Sequence, residues 1–299
     1  MRIVGIGHAT VDVFGVVPRY PQRDTKTELV EYSKQGGGPV ATALCAAAAL
    51  GVQTTFVGKV GDDELGRYIL AGLREFGVDC EHVVIEEGGY SPTSFVVADR
   101  ETASRTIFYT RGDLTPLAPR QVDLSVLADT KVLLVDGLQP EAQIAAAEAA
   151  HDRGVTVLLD AGSLREGMGE LVALADVVIA SERFATDLAP RGEIEDSLME
   201  LAKMGPRVAI VTLGDAGSIG LEGQKLVRQA AHEIDAVDTT GAGDVYHGAF
   251  AAAMVRGYTL ERAMQFASVA AGLSCQALGG RAGIPELDEV LDACGWPDR

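Results

Sequence analysis

The chain is poor in the residues that stabilise disulfide-bonded or metal-dependent domains. Its 299 residues include 4 cysteines and 5 histidines. The cysteines (Cys45, Cys80, Cys275 and Cys294) form no C-x-x-C pair, and the histidines form no H-E-x-x-H motif. The pattern disfavours a zinc site or a disulfide framework. We interpret the four cysteines as reduced thiols that pack as small apolar side chains.

Basic residues and long apolar runs are also scarce. The chain has 25 Lys+Arg against 43 Asp+Glu, a formal net charge of −18. This balance disfavours nucleic acid and anionic membranes as partners, because both favour a basic surface. The longest apolar run, around 43–50, is far shorter than the roughly 18–20 residues that span a bilayer. His8 and Asp12 interrupt the apolar start, unlike a secretory signal. We therefore expect a soluble cytoplasmic protein.

Short β-branched runs alternate with helical patterns along most of the chain. This order predicts an α/β fold with a mostly parallel sheet and helices on both faces. Two half-polar stretches, about 12–35 and 90–112, interrupt the alternation and predict a small antiparallel sheet that covers the core as a lid. We expect a single domain over 1–299 with these two insertions. The predicted strands lie at 2–7, 54–60, 131–135, 155–160, 176–180, 207–213 and 218–221, and the predicted helices at 40–50, 64–76, 141–153, 183–188, 194–204 and from about 243 and 260.

Two common nucleotide-binding motifs are incomplete. Gly5-Ile-Gly7 follows a strand but lacks the third glycine of G-x-G-x-x-G, and no helix follows it. The segment from Gly61 to Gly66 has the spacing of a P-loop but continues with Arg67 instead of lysine. A turn that opens the next helix explains this second segment better. A nicotinamide oxidoreductase is therefore a weak alternative.

The segment Asp238-Thr-Thr-Gly241-Ala-Gly243-Asp244 carries the strongest functional signal. Two glycines at the start of a helix leave backbone N–H groups free to bind an anion, and the helix dipole adds to the effect. Asp244 could simply cap the helix. A carboxylate beside an anion site also suits a base that removes a proton from a hydroxyl attacking phosphorus, and we favour this second interpretation.

A second glycine cluster, Gly36-Gly-Gly-Pro39-Val-Ala-Thr42, leads into an alanine-rich helix. Glycines before a helix allow a polar ligand to approach the backbone, and proline suits a first helical turn. A flexible hinge between lid and core is the alternative. The two roles are compatible, because hinges often lie beside substrate pockets.

These two glycine segments, together with Leu50-Gly51 and the stretch from Val60 to Gly66, resemble the signatures of the ribokinase-like (PfkB) carbohydrate kinases. The resemblance covers essentially the whole chain, with the motifs in family order. It implies a three-layer α/β/α core with a small β-sheet lid, and transfer of a phosphoryl group from ATP with Mg²⁺ to a sugar hydroxyl.

The resemblance also implies roles for individual residues. Asp244 would be the general base, and the amides of Gly241, Ala242 and Gly243 would stabilise the transferred phosphoryl group. Asp238 would lie near a monovalent cation such as K⁺. The remaining implied contacts are Asp12, Gly37, Gly38 and Thr42 with the sugar, Thr212, Gly214, Gly217 and Gly243 with the nucleotide, and the loop around Gly280 with the adenine.

The chain departs from the family pattern at two places. Thr42 stands where many members have asparagine, and Ser181-Glu182-Arg183-Phe184 stands where they have Asn-x-x-Glu near magnesium. Glu182 could serve the metal from a shifted position, or the nucleotide could hold it through water.

The form of the glycine segments is most similar to the sulfofructose kinase branch, in which a lid lysine contacts the sulfonate. Lys26 has the matching spacing, whereas the branch's other sulfonate contacts are missing at 107–110 and 136–138. Lys26 and Arg105 are the candidate cations for the substrate, with a solvated lid edge as the alternative.

The sequence thus predicts an ATP-dependent sugar kinase that acts on a primary hydroxyl, with a ketohexose-type acceptor, fructose-like or 6-deoxy-6-sulfofructose. Ribose, 2-keto-3-deoxygluconate and nucleosides are alternative acceptors within the family. A sugar or nucleotide sensor without activity is an alternative of another class, which the presence of Asp244 disfavours. The apolar face of the lid predicts a homodimer.

Overall fold

The computed structural model describes residues 2–102 and 104–296. Its main sheet has eight strands: β1 (Arg2–Ile6), β4 (Gln53–Val57), β9 (Thr130–Val135), β10 (Thr156–Ala161), β11 (Val177–Ser181), β12 (Val208–Thr212), β13 (Ser218–Glu222) and β14 (Lys225–Gln229). Their order across the sheet is β14-β13-β12-β11-β10-β9-β1-β4. The neighbours from β4 to β12 pair in parallel, and β13 and β14 add an antiparallel edge. The six parallel strands of this sheet are mostly apolar and buried, as expected for a sheet covered on both faces.

Helices pack in two layers, one on each face of this sheet, and give the three-layer α/β/α architecture. One face carries α1 (Pro39–Ala49), α2 (Glu64–Glu75), α7 (Ala242–Val255), α8 (Leu260–Ser274) and α9 (Leu287–Ala293). The other carries α3 (Pro140–His151), α4 (Met168–Leu174), α5 (Glu182–Leu188) and α6 (Ile194–Lys203). The alanine-rich helices α1 and α7 lie against each other, where a Cβ at Gly248 would collide with the backbone carbonyl of Ala43.

A four-stranded sheet, called the lid sheet below, stands apart from the main sheet in the order β3-β2-β7-β8. Its strands are β2 (Thr10–Val17), β3 (Glu31–Gly37), β7 (Thr93–Asp99) and β8 (Ser104–Thr110). They lie in the two predicted insertions. The expected purely antiparallel pairing is wrong at the centre, because β2 and β7 pair in parallel. Strands β2 and β7 come from separate insertions. A long stretch of the chain, from 18 to 92, lies between them and allows them to run in the same direction.

Only a few side chains of the lid sheet are buried. Phe14 and Val96 of its inner face pack with Leu278 in a small separate cluster. Strand β8 is exposed along its whole length, including Phe108 and Tyr109. Beside the lid sheet, the short strands β5 (Lys59–Gly61) and β6 (Val84–Glu86) pair in parallel. Lys59 is buried there and donates to Glu86 at 2.9 Å.

Most predicted elements are present with ends shifted by a few residues. The predicted strand 54–60 is two strands, β4 and β5, separated at Gly58. The turn predicted at 61–66 does open a helix, since the Asp63 side chain caps α2 by accepting from the amide of Gly66 at 2.8 Å. Strands β6 and β14 and helices α4 and α9 were not expected from the sequence. Within the described residues, no helix combines the length and apolarity that crossing a membrane requires.

Candidate active site

Several polar side chains gather where the parallel strands of the main sheet end. His8 follows β1, Asp136 follows β9, and Asp160 lies near the end of β10. Because these strands are neighbours and run in the same direction, their carboxyl ends meet at one edge of the sheet. This edge is the usual place for ligands in open α/β sheets.

Asp136 organises the edge through hydrogen bonds. Its carboxylate accepts from the amides of His8 and Leu138, both at 2.9 Å, and from Nε2 of the buried Gln143 at 2.8 Å. A side chain at Gly7 would collide with the same carboxylate. Asp136 therefore fixes the loops that follow β1 and β9, and its own oxygens are largely occupied.

Asp244 lies in the first turn of α7, directly beyond the two glycines. The N-cap of the helix is Gly241, in a left-handed conformation (φ 76°), and no described side chain caps it. The carboxylate of the half-buried Asp244 makes no hydrogen bond or ion pair with another described residue. The capping role considered for Asp244 is therefore filled by the backbone of Gly241. The carboxylate is left free to accept a proton from a ligand.

The surroundings of Asp244 favour its protonated form. Burial raises the pKa of the Asp244 carboxyl well above its usual range. The nearby carboxylates of Asp160, Asp12 and Asp136 raise this pKa further, whereas the guanidinium of Arg281 lowers it. A carboxyl with a raised pKa in a cleft is typical of a general base that works near neutral pH.

One helical turn further along α7, His247 links the site to the sheet. Its Nδ1 lies 2.5 Å from the carbonyl oxygen of Gly243, and its Nε2 lies 3.2 Å from that of Ile179. Nε2 is also 3.5 Å from Oδ1 of Asp160. Burial raises the pKa of Asp160, and His247 opposes the shift. This pair holds the start of α7 against the ends of β10 and β11.

Asp12 and the glycine cluster form a second polar group of residues. Asp12 lies on β2 and accepts from Oγ of Ser94 at 2.7 Å. Burial raises its pKa, and the hydrogen bond from Ser94 lowers it. A side chain at Gly37 would collide with the Asp12 carboxylate, and one at Gly38 (φ 96°) with the carbonyl of His8. Both glycines are therefore required for the carboxylate and the turn to come this close.

Thr42 lies next to this group in the chain, at the start of α1. It is buried in the first turns of α1, and its Oγ1 accepts from Nε of Arg281 at 3.2 Å. The pKa of Asp244 responds to the charge of Asp12, which lies on the lid sheet. Asp12, a predicted sugar residue, therefore lies close enough to Asp244, the predicted base, for their charges to interact.

A cavity of about 740 Å³ adjoins the start of α7. Among its lining residues are Thr212, Gly214, Gly217, Ala242 and Gly243, all predicted to contact nucleotide or phosphate. A Cβ built at Gly243 would meet no atom within 4 Å, so the space in front of the helix is open. The volume is in the range of pockets for ligands of nucleotide size.

The loop around Gly280, predicted to contact the adenine, is not among the residues that line this cavity. Gly280 packs against Gly241, since a Cβ added at Gly241 would lie 2.7 Å from the Cα of Gly280. The amide of Gly279 donates to Oδ2 of Asp238 at 2.9 Å. Oδ1 of Asp238 accepts from the amide and hydroxyl of Thr240 at 3.0 and 2.8 Å. Asp238 thus joins this loop to the segment 238–244, called the phosphate segment below because the sequence predicts that it binds phosphate.

The two lid cations lie apart from Asp12's hydrogen-bond network. Lys26 is exposed on the loop between β2 and β3 and makes no hydrogen bond or ion pair with another described residue. Arg105, on β8, donates to Oγ1 of Thr239 at 3.2 Å. Arg105 therefore connects the lid sheet to the phosphate segment.

Glu182 is the candidate magnesium residue, and it begins α5 with its side chain exposed. Ser181 caps this helix and pairs in register with Thr212, which lines the cavity. Glu182 therefore lies at the same sheet edge. Across the described ranges, no three His, Cys, Asp or Glu side chains converge as a protein-held metal would need.

Sequence reasoning missed Asp136, Asp160, His247 and the position of Arg281. A signal was available for the two aspartates, since each follows an apolar strand, in Val132-Leu-Leu-Val-Asp136 and Val157-Leu-Leu-Asp160. The contacts of His247 and Arg281 join residues 68 and 239 positions apart, and no local pattern reports such a distance.

Known proteins resemble this chain along nearly all of its length. The profile of the pfkB family carbohydrate kinases matches residues 1–287. The ribokinase of Staphylococcus aureus (strain COL) is 28% identical over 97% of this chain and 98% of its own length. The ATP-dependent ribose-1-phosphate kinase of Halopiger xanaduensis is 29% identical over 97% of each chain. The ketohexokinase of Mus musculus is 24% identical over 97% of this chain and 99% of its own length.

Solved structures show the same fold. A protein from Agrobacterium tumefaciens superposes with a TM-score of 0.91 at 29% identity, covering 100% of this chain and 99% of the other. The ribokinase of Arabidopsis thaliana, solved with ribose and ATP, has a TM-score of 0.84 at 26% identity and covers 98% of both chains. The match to the profile, which extends over nearly all of the sequence, shows that the chain belongs to the pfkB family of carbohydrate kinases.

Proposed function

We propose that this carbohydrate kinase transfers the γ-phosphoryl group of ATP to a primary hydroxyl of a ketohexose-type sugar, with Asp244 as the general base. One observation carries the proposal: the Asp244 carboxylate has no hydrogen-bond partner among the described residues and directly follows Gly243, which lines the large cavity. Such a carboxylate can accept the hydroxyl proton while the helix amides face the phosphoryl group.

The division of the site supports two substrates. The cavity lined by Thr212, Gly214 and Gly217 would hold the nucleotide, and Asp12 with its glycine turn would hold the sugar hydroxyls. Phosphoryl transfer passes through a loose transition state, so positioning and charge stabilisation matter most. The amides of Gly241, Ala242 and Gly243 would stabilise the charge on the transferred group.

Magnesium would neutralise charge on the nucleotide phosphates when bound. Glu182 is the side chain at the sheet edge best suited to contact it, directly or through water. A monovalent cation such as K⁺ beside Asp238 is part of the proposal. The carboxylate there already accepts from Thr240 and Gly279, so carbonyl oxygens would supply most of its ligands.

The acceptor is tested by measuring ADP release with a panel of sugars. The panel contains fructose, 6-deoxy-6-sulfofructose, ribose, 2-keto-3-deoxygluconate and adenosine. We expect the highest kcat/KM with a ketohexose, in line with the ketohexokinase relative. A clear preference for ribose, the sugar bound in the Arabidopsis ribokinase, or for adenosine would reject the ketohexose assignment. The general base is tested separately with Asp244→Asn, which should lose most of its activity with every sugar. Asp152→Asn, at an exposed aspartate after α3, is the matched control for this variant.

Lys26 tests whether the acceptor carries an anionic group. If Lys26 contacts a sulfonate, Lys26→Met should raise the KM for 6-deoxy-6-sulfofructose and leave the KM for fructose unchanged. Lys203→Met, at an exposed lysine that pairs with Glu200, is the control. Equal effects on both sugars would remove Lys26 from the anion site.

We also propose that the protein forms a homodimer through the lid sheet. Ile107, Phe108 and Tyr109 are 49%, 52% and 70% exposed on the edge strand β8, and such an edge is suited to pairing. Light scattering after size exclusion should give twice the chain mass, and Tyr109→Glu should convert it to the monomer mass. A monomeric wild type would reject the dimer.

A further inference from the structure

His247 is a buried histidine on α7, one turn beyond the phosphate segment, and both of its ring nitrogens face acceptors. It is 5% exposed. Its Nδ1 lies 2.5 Å from the carbonyl oxygen of Gly243, and its Nε2 lies 3.2 Å from that of Ile179, both with hydrogen-bond geometry. Nε2 also lies 3.5 Å from Oδ1 of Asp160. In the part of the chain that the structure describes, no donor group contacts either ring nitrogen.

This geometry needs more protons than a neutral imidazole carries. A neutral ring has one N–H group, so its other nitrogen would turn a lone pair toward an oxygen lone pair. In a buried place this contact is repulsive and leaves a possible hydrogen bond unmade. In the imidazolium form both nitrogens donate, Nδ1 to Gly243 and Nε2 to Ile179. The contacts therefore indicate a ring with a proton on each nitrogen.

Asp160 supplies the counter-charge that a buried cation requires. Its side chain is 9% exposed, and among the described residues it has no hydrogen bond or ion pair besides the contact with His247. A buried carboxylate without a partner is costly, and a cation beside it reduces the cost. A protonated Asp160 beside a neutral ring would remove both charges. That form would turn an unprotonated Nε2 toward the Ile179 oxygen, which is closer to Nε2 than Asp160 is.

The other charged groups at this edge of the sheet also favour a cation at His247. They are Asp136 after β9, Arg165 in the loop after β10, and Asp244 one turn earlier on α7 itself. Asp136 raises the pKa of Asp160, whereas His247 and Arg165 lower it. Three carboxylates thus lie around the ring, and the guanidinium of Arg165 is the charge that opposes them.

The hydrogen bond from Nδ1 reaches the anion-binding end of α7. The carbonyl of Gly243 and the amide of Asp244 belong to one peptide group, so a charge-assisted bond to this oxygen makes that amide a stronger donor. The amides of Gly243 and Asp244 make no hydrogen bond with another described residue, whereas that of Val245 donates to Gly241 at 2.9 Å. These two amides are therefore free to bind a phosphoryl oxygen.

We propose that His247 is a positioning residue: a buried imidazolium, paired with Asp160, whose hydrogen bond to the Gly243 carbonyl holds and polarises the turn that receives the transferred phosphoryl group. This inference rests on the phosphoryl transfer that the proposed function assigns to this turn. His247 is not among the residues that line the large cavity. It acts through the backbone of Gly243 and takes no proton from the acceptor.

The first experiment needs no substrate. Protein labelled with nitrogen-15 at its histidines is examined by NMR at pH 7.5, and the ring signals of His247 are assigned by their loss in His247→Gln. We expect two similar nitrogen shifts, typical of an imidazolium. In Asp160→Asn the counter-charge is gone, and the ring should show the two well-separated shifts of a neutral imidazole. His151, exposed in the last turn of α3, is the internal reference. A neutral ring in the wild type would reject the proposal, and an unchanged imidazolium in Asp160→Asn would reject the pair.

Nucleotide binding then shows whether the ring acts on the turn. Calorimetry compares ADP with the β,γ-imido analogue of ATP, because only the analogue brings a γ-phosphoryl group to the amides of Gly243 and Asp244. His247→Gln should bind the analogue severalfold more weakly and ADP within about twofold of the wild type. His151→Gln is the matched control and should change neither. An equal loss for both nucleotides would reduce His247 to a structural residue.

Turnover adds a pH dependence that packing alone would not give. The wild-type kcat should fall at alkaline pH as the ring loses its second proton, and Asp160→Asn should move this alkaline limb to lower pH. His247→Gln should lower kcat severalfold at neutral pH and lack the limb. A limb at the same pH in all three proteins would contradict the proposal.

A folding defect would not hide the answer. If His247→Gln melts too low for calorimetry, Asp160→Asn keeps the ring and replaces it. This variant should bind the ATP analogue as the wild type does at pH 6, where the ring regains its proton, and severalfold more weakly at pH 8. An equal affinity relative to wild type at both pH values would contradict the proposal. If the wild type phosphorylates none of the sugars, the proposed function fails, and the NMR and calorimetric comparisons still decide the role of His247.

Discussion

Replacing Asp244 with asparagine separates catalysis from binding and from stability. The amide fills the same space but cannot accept the hydroxyl proton. Because general-base catalysis contributes about 10²–10⁴-fold, kcat should fall by at least this order. ATP affinity should stay within about twofold, since the nucleotide cavity is lined by other residues. ADP release measures kcat, and calorimetry measures ATP binding.

The same substitution should stabilise the protein at neutral and alkaline pH. Burial and three neighbouring carboxylates raise the pKa of Asp244 in the folded state above its unfolded value. The folded state therefore prefers the protonated form, and the wild type loses stability as the pH rises from the unfolded pKa through the folded one. The asparagine side chain of the variant carries no charge to bury. The advantage of the variant should grow as the pH rises above the unfolded pKa of the aspartate, and should become constant once the pH exceeds the folded pKa.

The expected gain is about 0.5–2 kcal/mol, the range typical of removing strain that is kept for function. For a chain of this size it corresponds to about 1–3 °C in melting temperature. Calorimetric melting of wild type, Asp244→Asn and Asp152→Asn at several pH values gives the comparison. Near-normal turnover of Asp244→Asn would refute the base, and an advantage that shrinks with rising pH would refute the electrostatic reasoning.

Three further substitutions test other parts of the site and the fold. Asp12→Asn should raise the acceptor KM about 10–100-fold with little change in the ATP KM, because it removes charged hydrogen bonds to sugar hydroxyls; unchanged acceptor KM would remove Asp12 from the pocket. Gly241→Ala should lower kcat and the melting temperature together, since φ is 76° and the added Cβ would lie 2.7 Å from the facing loop; a wild-type kcat would contradict this close packing. Lys59→Met should lower the melting temperature more at pH 7 than at pH 3. Hydrogen bonds from Thr115 and Lys59 lower the pKa of Glu86 to about 2, so the stability they add is present above the unfolded pKa and is lost as the pH falls. Equal losses at both pH values would contradict the ion pair.

The core of the fold could be predicted because its elements have simple sequence patterns. The short apolar run before Asp136 is typical of a buried strand, and the alanine-rich run after Pro39 is typical of a helix. Strand β14 was missed because its residues are exposed and charged at the sheet edge, with Lys225 and Arg228 among them. Helix α4 was not predicted because Gly167 and Gly169 at its start are more typical of a loop.

The site was predictable where its chemistry is local in sequence. The phosphate segment carries its glycines and Asp244 within a few residues, and Asp12 was found through the family resemblance. The resemblance predicts that the loop around Gly280 contacts the adenine, and it gives no sign that Arg281 of the same loop donates to Thr42. Thr42, first noted as a departure from asparagine, is the acceptor of that arginine. A pair of this kind becomes visible only when both segments are placed in space.

The loop at 278–282 also has a consequence for how the two ligands bind. It is tied at one side to Asp238 and at the other to Gln35 and the glycine turn. When the first ligand orders this segment, the second ligand loses less conformational entropy on binding. Linkage makes the gain reciprocal, so nucleotide must tighten the acceptor by the same factor as acceptor tightens nucleotide. An acceptor analogue that lacks the reactive hydroxyl would then increase the affinity for ATP without being phosphorylated.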